Sequence, residues 1–514
     1  MTETDIRAAQ TGDARANTVD GVLRRSAAVQ SRRIALRFGD RELSYRELDD
    51  AVTRAAAALL GLGLTRGDRV AAYGTNSDAY VIGYLAAARA GLVHVPINYA
   101  LSGDELSYLL AQSGARAALV DPALREALDA VLPETSVEQV VPLRDGAGSL
   151  LEAATTGEVP YLGSAAAAGD LVQLLYTSGT TSKPKGAMMT HGALVHEYTS
   201  SIVGLDLAAD DKPLVCMPLY HSAGMHVFTL PYLAVGATIT LLPGPDIAEI
   251  LRIVEQDRIG SLFLAPTVWV PLASHPDLET RDLSSLRKAQ YGASIMPVTV
   301  LGRLRERYPQ LGFYNCFGQS EIGPLATVLR PEEHDERPSS AGRAVLFVET
   351  RVVDADGDDV ADGEPGEVLY RSPQLCQGYW DNPEATREAF AGGWFHSGDL
   401  VTRDAEGFLT VVDRIKDVIN TGGILVASRE VEDALYTHES VGEVAVIGVP
   451  DEKWIEAITA VVVLRDGAAA SEAELIAHVK ERLAPFKVPK AIRFVESLPR
   501  NQSGKLLKRE LRAG

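Results

Sequence analysis

Residues 68–96 read DRVAAYGTNSDAYVIGYLAAARAGLVHVP, and this stretch indicates the fold more directly than any other. The β-favouring runs at 70–73 and 93–96 predict two strands, and the apolar segment 78–90 between them predicts a helix. The same alternation recurs later, with strands expected at 214–217 and 261–264 and helices expected at 247–256 and 298–308. We therefore expect an α/β fold of doubly wound, mostly parallel sheets, with more than one copy of this motif.

The second half of the chain departs from this alternation. Between residues 342 and 371, short apolar runs separated by Asp-Gly and Gly-Glu-Pro-Gly turns predict a small, β-barrel-like element. The last hundred residues are typical of an α+β unit, with strands expected at 444–449 and 457–464. Ser428 is expected to cap one helix of this unit, and residues 471–474, which read SEAE, to form a capping box before another.

A short charged junction separates these two parts. Residues 413–417 read DRIKD and are followed by the change of pattern. We expect a large N-terminal domain at 1–413 and a small domain at 417–514, and a short charged junction of this kind suits a hinge.

Charge and cysteine usage exclude several classes of protein. The 514 residues carry a formal net charge of −20, which argues against broad binding of nucleic acids or anionic membranes. The three cysteines, Cys216, Cys316 and Cys376, are far apart and match no metal or redox spacing. We expect buried thiols in a reducing compartment.

Neither a signal peptide nor a membrane span is expected. The chain opens with acidic residues where a signal peptide would be basic and then apolar. Its most apolar window, 79–97, is interrupted by Arg89 and His94. Together with the cysteines, this favours a cytoplasmic protein.

A loop rich in hydroxyls and lysines is the first candidate for a binding site. Residues 176–186 read YTSGTTSKPKG, a combination that suits phosphate because backbone N–H groups and hydroxyls donate while lysines neutralise. It is not a nucleotide-binding P-loop, because Gly179 is followed after four residues by Pro184 rather than by Gly-Lys-Ser or Gly-Lys-Thr. A solvated surface turn would explain the glycine and the proline, but not the hydroxyls of Thr177, Ser178, Thr180 and Thr181 together with two lysines and no acid.

Four further motifs follow in order. They read YGAS at 291–294, FGQSE at 317–321, WFHSGD at 394–399 and NQSGK at 501–505. With the loop, these motifs make the chain resemble the adenylate-forming superfamily of acyl-CoA synthetases, firefly luciferase and the adenylation domains of peptide synthetases. The resemblance begins near Leu43 and is closest to fatty-acyl-CoA synthetase-like ligases.

The resemblance implies a reaction in two steps. A carboxylic acid is activated by ATP and Mg²⁺ to an acyl-adenylate with release of pyrophosphate, and the acyl group then passes to an acceptor, most commonly coenzyme A. It also implies a rotation of the small domain between the two steps, about Lys416. Such chemistry depends on positioning and charge neutralisation.

The resemblance assigns a role to each matching residue. Lys505, His221 and Glu321 are the implied catalytic residues, with Glu321 as the Mg²⁺ ligand. Asp399 is expected to accept both ribose hydroxyls, and Arg414 to support the ribose from the other domain. The implied ATP-binding set is Thr177, Ser178, Gly179, Thr180, Thr181, Lys185, Gly292, Ala293, Ser294, Asn315, Phe317, Gly318, Ser320, Asp399, Val411 and Arg414. The expected apolar acid pocket consists of Trp269, Gly292, Gly318, Ile322, Gly323 and Pro324.

The chain departs from the family pattern at a few positions. Ser182 stands where the family usually has glycine, and Ser320 where threonine is more usual. In the implied acceptor tunnel, Gly422 and Gly423 are followed by Ile424 and Leu425 instead of the usual Glu-Asn. Ile424 cannot hydrogen-bond His221 as that glutamate would. This favours either simple strand packing at Ile424 or an altered acceptor site. The altered site admits an engineered variant or a natural ligase whose second substrate is an amine, so an amide-forming ligase is the alternative function.

Other interpretations of the motifs are weaker. Alone, Asp399 is typical of a turn and Lys505 of a solvated surface, but their place in an ordered set favours function. Gly318 and Ser320 resemble part of a hydrolase nucleophile elbow, which would need glycine where Ile322 stands. A non-catalytic binding protein would be expected to lose Lys505 or Glu321, and both are present.

Overall fold

The computed structural model describes residues 17–163, 165–177, 183–294, 296–422, 424–451, 453–500 and 506–513. Seven residues discussed above lie outside these ranges, namely Ser178, Gly179, Thr180, Thr181, Ser182, Gly423 and Lys505.

Two large sheets form the N-terminal part of the chain. The strand–helix–strand prediction is confirmed, because Arg69–Tyr73 and Val93–Ile97 are parallel neighbours joined by helix Asp78–Arg89. They belong to a six-stranded sheet in the order Gln139–Pro142, Ala115–Val120, Arg69–Tyr73, Val93–Ile97, Leu171–Thr177, Lys185–Thr190. The nine-stranded sheet has the order Arg343–Ala344, Leu325–Leu329, Gly312–Gly318, Lys288–Gly292, Ser261–Leu264, Pro213–Val215, Ile239–Leu241, Ile34–Phe38, Arg41–Ser44. Its centre is parallel and both of its edges are antiparallel.

Helices connect the strands of these sheets, as the periodicity predicts. Those before the last hundred residues are Val19–Gln30, Tyr45–Gly61, Asp78–Arg89, Gly103–Ser113, Arg125–Asp129, Leu150–Thr155, His191–Gly204, Leu230–Ala234, Ile247–Asp257, Pro266–Leu272, Val298–Arg307 and Pro383–Ala389. A π-helical segment, Ala223–Thr229, precedes Leu230–Ala234. π-Helical turns are frequent at functional sites.

Arg89, which interrupts the most apolar window of the sequence, is buried and paired with carboxylates. The guanidinium of Arg89 donates to the carboxylates of Asp20, at 2.7 Å, and Asp49, at 2.5 Å. Because a buried charge needs a partner and satisfied donors, this arrangement explains how helix Asp78–Arg89 packs on all sides.

The small β element is a four-stranded antiparallel sheet. Its strands, in order, are Glu349–Val353, Gly366–Arg371, Phe395–Arg403 and Leu409–Arg414. The sequence pattern at 342–371 covers only the first two of them, because helix Pro383–Ala389 lies between the two halves.

The C-terminal part is an α+β unit, as expected. Its sheet has the order Ile424–Val426, Ile419–Thr421, Ile455–Leu464, Val441–Asp451, with Ala491–Phe494 parallel to Ile455–Leu464. Its helices are Ser428–Tyr436, Glu472–Lys480 and Lys508–Ala513. The capping box at Ser471 and Glu474 is confirmed.

The expected cap at Ser428 is wrong. The N-cap residue is Ala427, and Ser428 is the first helical residue. Asp413 performs the capping instead, because its Oδ2 accepts from the Ser428 backbone N–H at 2.6 Å and from the Ser428 hydroxyl at 2.7 Å. A carboxylate is favoured at a helix N-terminus, where backbone N–H groups lack partners.

The cysteine and membrane expectations can be compared with the described residues. Cys216, Cys316 and Cys376 are buried and unbridged. Within the described ranges, none of the helices has both the length and the apolar character needed to cross a bilayer.

Candidate active site

One open cleft is lined by eleven of the predicted site residues. It lies where the carboxyl ends of strands from three sheets converge, at Thr177, at Gly318 and at Arg414. Ligands of open α/β sheets bind at such carboxyl ends. The predicted site residues that line this cleft are Thr177, Lys185, His221, Ala293, Phe317, Gly318, Ser320, Glu321, Pro324, Arg414 and Lys416.

Glu321 is held in place by two hydroxyl groups. It lies in the turn Ser320–Ile322 after strand Gly312–Gly318 and is 7% exposed. Its Oε1 accepts from the Thr177 hydroxyl at 3.0 Å and from the Tyr379 hydroxyl at 3.0 Å. Burial and the charge of Glu321 raise the pKa of Tyr379, so Tyr379 remains a donor at neutral pH. The carboxylate is therefore fixed beside the last residue of strand Leu171–Thr177.

The donors at Glu321 fit a magnesium ion that a nucleotide helps to ligate. Among the residues that the structure describes, no group of three or more His, Cys, Asp or Glu side chains is arranged to hold a metal by itself. Mg²⁺ at phosphate sites usually takes one or two carboxylates, with phosphate oxygens and water completing the shell. Glu321 beside Thr177 suits that role.

Lys185 lies close to the ring of Tyr379. Its Nζ is 5.2 Å from the centroid of the Tyr379 ring. The lysine begins strand Lys185–Thr190, which pairs with Leu171–Thr177, so both ends of the loop are anchored to one hairpin. Tyr379 therefore has the Lys185 ammonium group near its ring and the Glu321 carboxylate at its hydroxyl.

Asp399 and Arg414 form a second polar pair. They are opposite each other on neighbouring antiparallel strands, and the Arg414 Nε is 2.8 Å from the Asp399 Oδ1. Arg414 also donates to the Ser397 carbonyl at 3.0 Å, and Asp399 is 4% exposed. The expectation that Arg414 belongs to the other domain is wrong, because the residue completes the four-stranded sheet that carries Asp399.

The expected adenine wall is only partly assembled in the cleft. Ala293 lines the cleft with a positive φ of 65°, and Ser294 beside it is exposed. A Cβ on Gly292 would meet the Cys316 carbonyl oxygen at 2.3 Å, so this glycine is required by the packing of two neighbouring strands.

Two further members of the predicted ATP set have hydrogen-bond partners outside the cleft. The Asn315 side chain donates to the Ser340 carbonyl at 2.8 Å. The Val411 carbonyl accepts from the Arg429 guanidinium of the C-terminal unit. Neither residue lines the cleft.

His221 lies at the boundary between the polar and apolar parts of the cleft. Its ring is half-buried and packs on Tyr220, with centroids 4.4 Å apart. Burial lowers the pKa of His221 to about 4, so the imidazole is neutral at neutral pH. Its Nε2 is buried and has no hydrogen-bond partner among the described residues. Beside it, the hydroxyls of Ser222 and Ser320 are 3.0 Å apart, which joins this segment to the Glu321 turn.

The structure does not bring all of the expected acid-pocket residues to the cleft. Trp269 is 2% exposed in a separate core cluster, where its indole N–H donates to the Gln290 carbonyl at 3.0 Å. Ile322 is fully buried in the main core. A Cβ on Gly323 would press against Glu197, and this glycine has a φ of 107°. Only Gly318 and Pro324 of that set line the cleft. Trp269 was misplaced because an indole suits a core as well as a pocket.

The apolar wall comes largely from residues that sequence reasoning missed. They belong to the segment 217–228 and to the end of strand Ser261–Leu264, and they are Met217, Ala223, Gly224, Val227, Phe228 and Phe263. The signal in the sequence is the position of small residues directly after His221. A Cβ on Gly224 would meet the Pro218 carbonyl oxygen at 2.7 Å, so the glycine permits the tight turn into the π-helical segment.

The predicted acceptor residues lie away from the cleft in this structure. Gly422 has a φ of 65°, and Ile424 and Leu425 begin the edge strand Ile424–Val426 of the C-terminal sheet. Their exposed fractions are 45% and 70%. The two residues do extend a strand, as simple strand packing predicts. Their side chains, however, are exposed to solvent rather than packed.

The sequence comparisons agree with this arrangement. The sequence profile of the AMP-binding enzyme family matches residues 23–380, and that of the AMP-binding enzyme C-terminal domain matches residues 430–505. The chain belongs to the AMP-binding enzyme family. It is an adenylate-forming ligase, and its overall α/β architecture with a smaller C-terminal part is that of the family.

Individual members of the family are similar along nearly the whole chain. A feruloyl-CoA synthase from Amycolatopsis sp is 40% identical over 488 residues, which covers 95% of this chain and 97% of that protein. The crystal structure of the anthranilate CoA ligase AuaEII in complex with anthranoyl-AMP superimposes with a TM-score of 0.91 at 28% identity and covers 96% of both chains. The amide bond synthetase McbA from Marinactinospora thermotolerans superimposes with a TM-score of 0.88 at 29% identity, covering 96% of this chain and 99% of that one.

Proposed function

We propose that this AMP-binding enzyme activates a carboxylic acid with ATP and transfers the acyl group to coenzyme A. The observation that carries the proposal is the Glu321 carboxylate, which Thr177 and Tyr379 fix in the cleft. Arg414, the partner of the buried Asp399, lines the same cleft. A metal ligand at the phosphate loop and a buried carboxylate at the ribose position suit one bound nucleotide.

The nucleotide is bound by residues of the N-terminal part. The phosphate-loop residues from Thr177 to Lys185 hold the β- and γ-phosphates, and Asp399 accepts the two ribose hydroxyls. Glu321, with the Thr177 hydroxyl beside it, would hold a Mg²⁺ ion, which would supply positive charge to the phosphates. Arg414 orients Asp399 through the contact at 2.8 Å.

The first step is an in-line displacement at the α-phosphorus. A carboxylate oxygen of the acid forms a bond to phosphorus, the bond to the bridging oxygen breaks, and the electron pair leaves with pyrophosphate. Lys505, assigned by sequence resemblance and outside the described residues, adds a positive charge to the crowded transition state. The Ser320 hydroxyl, next to Glu321, donates to the α-phosphate.

In the second step a thiolate displaces AMP from the acyl carbon. The sulfur forms a bond to the carbonyl carbon, and the carbon–oxygen bond to AMP breaks. His221 has an unpaired Nε2 and is neutral, so it can donate or accept one hydrogen bond without bringing a charge into the apolar end.

We also propose that the chain moves as two domains, 1–413 and 417–514, about Lys416. Lys416 lies in the short turn Ile415–Asp417, which lines the cleft. A rotation there would break the contacts that Asp413 makes with Ser428 and that Val411 makes with Arg429. These few polar contacts could exchange with water on each cycle.

A second acceptor, an amine, is favoured by one observation. Ile424 and Leu425 are exposed on the edge strand of the C-terminal sheet, where the family usually has Glu-Asn. McbA, an amide bond synthetase, is similar over nearly the whole chain. The proposed primary function remains thioester formation, because the most similar of the named relatives above is a CoA synthase.

The experiment that tests the proposal separates the two steps. The enzyme is incubated with ATP, Mg²⁺ and a panel of acids, and pyrophosphate release is measured with coenzyme A, with an alkylamine or with neither. We expect acid-dependent pyrophosphate release and an acyl-CoA product by mass spectrometry. Formation of an amide without a thioester would show that the acceptor is an amine rather than coenzyme A. No acid-dependent pyrophosphate release with any acid would reject the activation step.

A further inference from the structure

The apolar end of the cleft is closed by two stacked phenylalanines. Phe228 is on the π-helical segment Ala223–Thr229, and Phe263 is on strand Ser261–Leu264. Their ring centroids are 4.3 Å apart with an interplanar angle of 17°, and both side chains are buried. Because the rings come from two different elements that pack on each other, they form a rigid floor.

A second, smaller cavity lies behind this floor. Met217, Gly224, Phe228 and Phe263 line both spaces, so these four residues are the partition between them. Tyr232 and Ser261 lie on the far side, where the Tyr232 hydroxyl donates to the Ser261 hydroxyl at 2.7 Å. Removing a ring from the partition would therefore lengthen the cleft.

The distance from the polar boundary to the floor is short. Phe228 is seven residues after His221, and the chain between them is helical from Ser222 onward. At a rise of about 1.5 Å per residue, the two positions are about 10 Å apart along the helix axis. An extended chain advances about 3.5 Å for every three bonds, so about eight or nine bonded atoms fill that length.

The wall around the floor is apolar. Among the described residues, the wall around the floor is made of Met217, Gly224, Val227, Phe228 and Phe263, and none of them is charged. A second carboxylate on the substrate would have to be buried there without a partner, which is costly.

We propose that the acid substrate is a compact, apolar monocarboxylate, either a short straight chain or a single aromatic ring with a short side chain, and that Phe228 and Phe263 set its maximum length. The inference rests on the proposed function, because it names the substrate class of the same cleft. Aromatic rings of the substrate can pack edge-on or offset against the stacked pair.

The test is a length series measured with the intact enzyme. Acid-dependent pyrophosphate release is followed as kcat/KM for butanoate, hexanoate, octanoate, decanoate, hexadecanoate, cinnamate and succinate. We expect the highest values for hexanoate, octanoate or cinnamate, and losses of about 10-fold or more for each methylene that no longer fits. We expect no turnover of succinate.

Variants of the partition give the decisive comparison. F228A and F263A should raise kcat/KM for decanoate relative to hexanoate by about 10- to 200-fold, the range for one extra or missing methylene in an apolar pocket. F228L and F263L, which keep more of the core filled, should shift the preference in the same direction and serve if an alanine variant does not fold. F347A, a phenylalanine that packs on His196 outside the cleft, is the matched control and should keep the wild-type order.

Three results would overturn the inference: wild-type turnover of hexadecanoate equal to that of hexanoate, preference for succinate, or folded leucine variants with the wild-type order. Failure of the proposed function is a separate result. If no acid supports pyrophosphate release, thermal shifts by the acids alone decide about the floor. The floor is supported if hexanoate but not decanoate stabilises the wild type while both acids stabilise F228L. It is rejected if both acids stabilise the wild type equally.

Discussion

The two ends of the cleft hold their polar groups in opposite ways. At the nucleotide end, the Glu321 carboxylate already accepts two hydrogen bonds and Asp399 already contacts Arg414. At the apolar end, the Nε2 of His221 has no partner among the described residues, and stacked phenyl rings close the space. One end is organised by hydrogen bonds and the other by shape.

This difference indicates how each end responds to change. Polar groups fixed before the ligand binds lower the cost of reorganisation in the transition state, so substitutions there should affect rate and nucleotide affinity strongly. An end defined by packing should instead change which acid fits. The predictions below test this contrast, from the largest expected effect to the smallest.

The largest effect is expected for Lys505→Ala. If Lys505 supplies one positioned positive charge to the nucleotide end, its loss should slow adenylate formation by about 10²–10³-fold, the usual cost of losing one such donor. Acyl transfer from chemically supplied acyl-adenylate should be unaffected. Pyrophosphate release and thioester formation are measured separately. Lys480→Ala, at an exposed lysine, is the control. Equal losses in both steps would contradict a role limited to the first step.

A smaller effect is expected for Asp399→Asn. An amide keeps the shape of the side chain but removes its charge and replaces one acceptor oxygen with a donor, so the KM for ATP should rise by about 10- to 100-fold, as for loss of a hydrogen bond to a charged group. The KM for the acid should stay within about twofold, because additivity holds for distant sites. Asp381→Asn, at an exposed aspartate, is the control. A folded Asp399→Asn enzyme with normal affinity for ATP would remove Asp399 from the site.

The nucleotide end was the more predictable from sequence. Thr177 and Arg414 are the last residues of their strands, and Glu321 follows a strand by three residues. Local pattern and fold together therefore bring them to the place where the carboxyl ends of these strands converge. What the sequence could not show was the hydrogen bond between Thr177 and Glu321, because those residues are 144 positions apart.

The apolar end was less predictable, and the reason is physical. Trp269 and Phe263 are both large apolar residues close to predicted strands, yet Trp269 packs in a separate core and Phe263 lines the cleft. Burial and pocket lining favour the same residue types, so only tertiary packing separates them. Ser428 gives a similar lesson, since its expected capping role is taken by Asp413, which is distant in sequence.

The acceptor region offers a third test. Replacing Ile424 with Glu and Leu425 with Asn restores the family pattern on an exposed strand. If the C-terminal domain rotates to bring position 424 toward His221, one new hydrogen bond to a neutral imidazole should raise CoA-dependent turnover by about 2- to 10-fold. Acid-dependent pyrophosphate release without CoA should be unchanged.

Ile455→Glu is the matched control, because Ile455 is an exposed apolar residue of the same sheet. Rapid thioester formation by the unaltered enzyme together with no change in the double variant would show that Ile424 has no part in acceptor choice. An unaltered enzyme that ignores CoA and converts amines to amides would establish the second acceptor.

The smallest effect concerns the protonation of His221. Burial lowers its pKa in the folded protein to about 4 from an ordinary value of 6.5. Between these two values the unfolded chain binds a proton that the folded chain does not, so the stability that His221 contributes is present above pH 6.5 and is lost as the pH falls toward 4. His221→Gln should therefore lose less stability than the wild type over that interval, measured as the urea midpoint against pH. Burial also lowers the pKa of His94, His191, His226 and His334, so only the difference between the two curves reports on His221. Parallel plots of urea midpoint against pH would mean that His221 titrates as an exposed histidine does. The apolar end would then carry a positive charge at mildly acidic pH, and its packed wall has no group that would stabilise this charge.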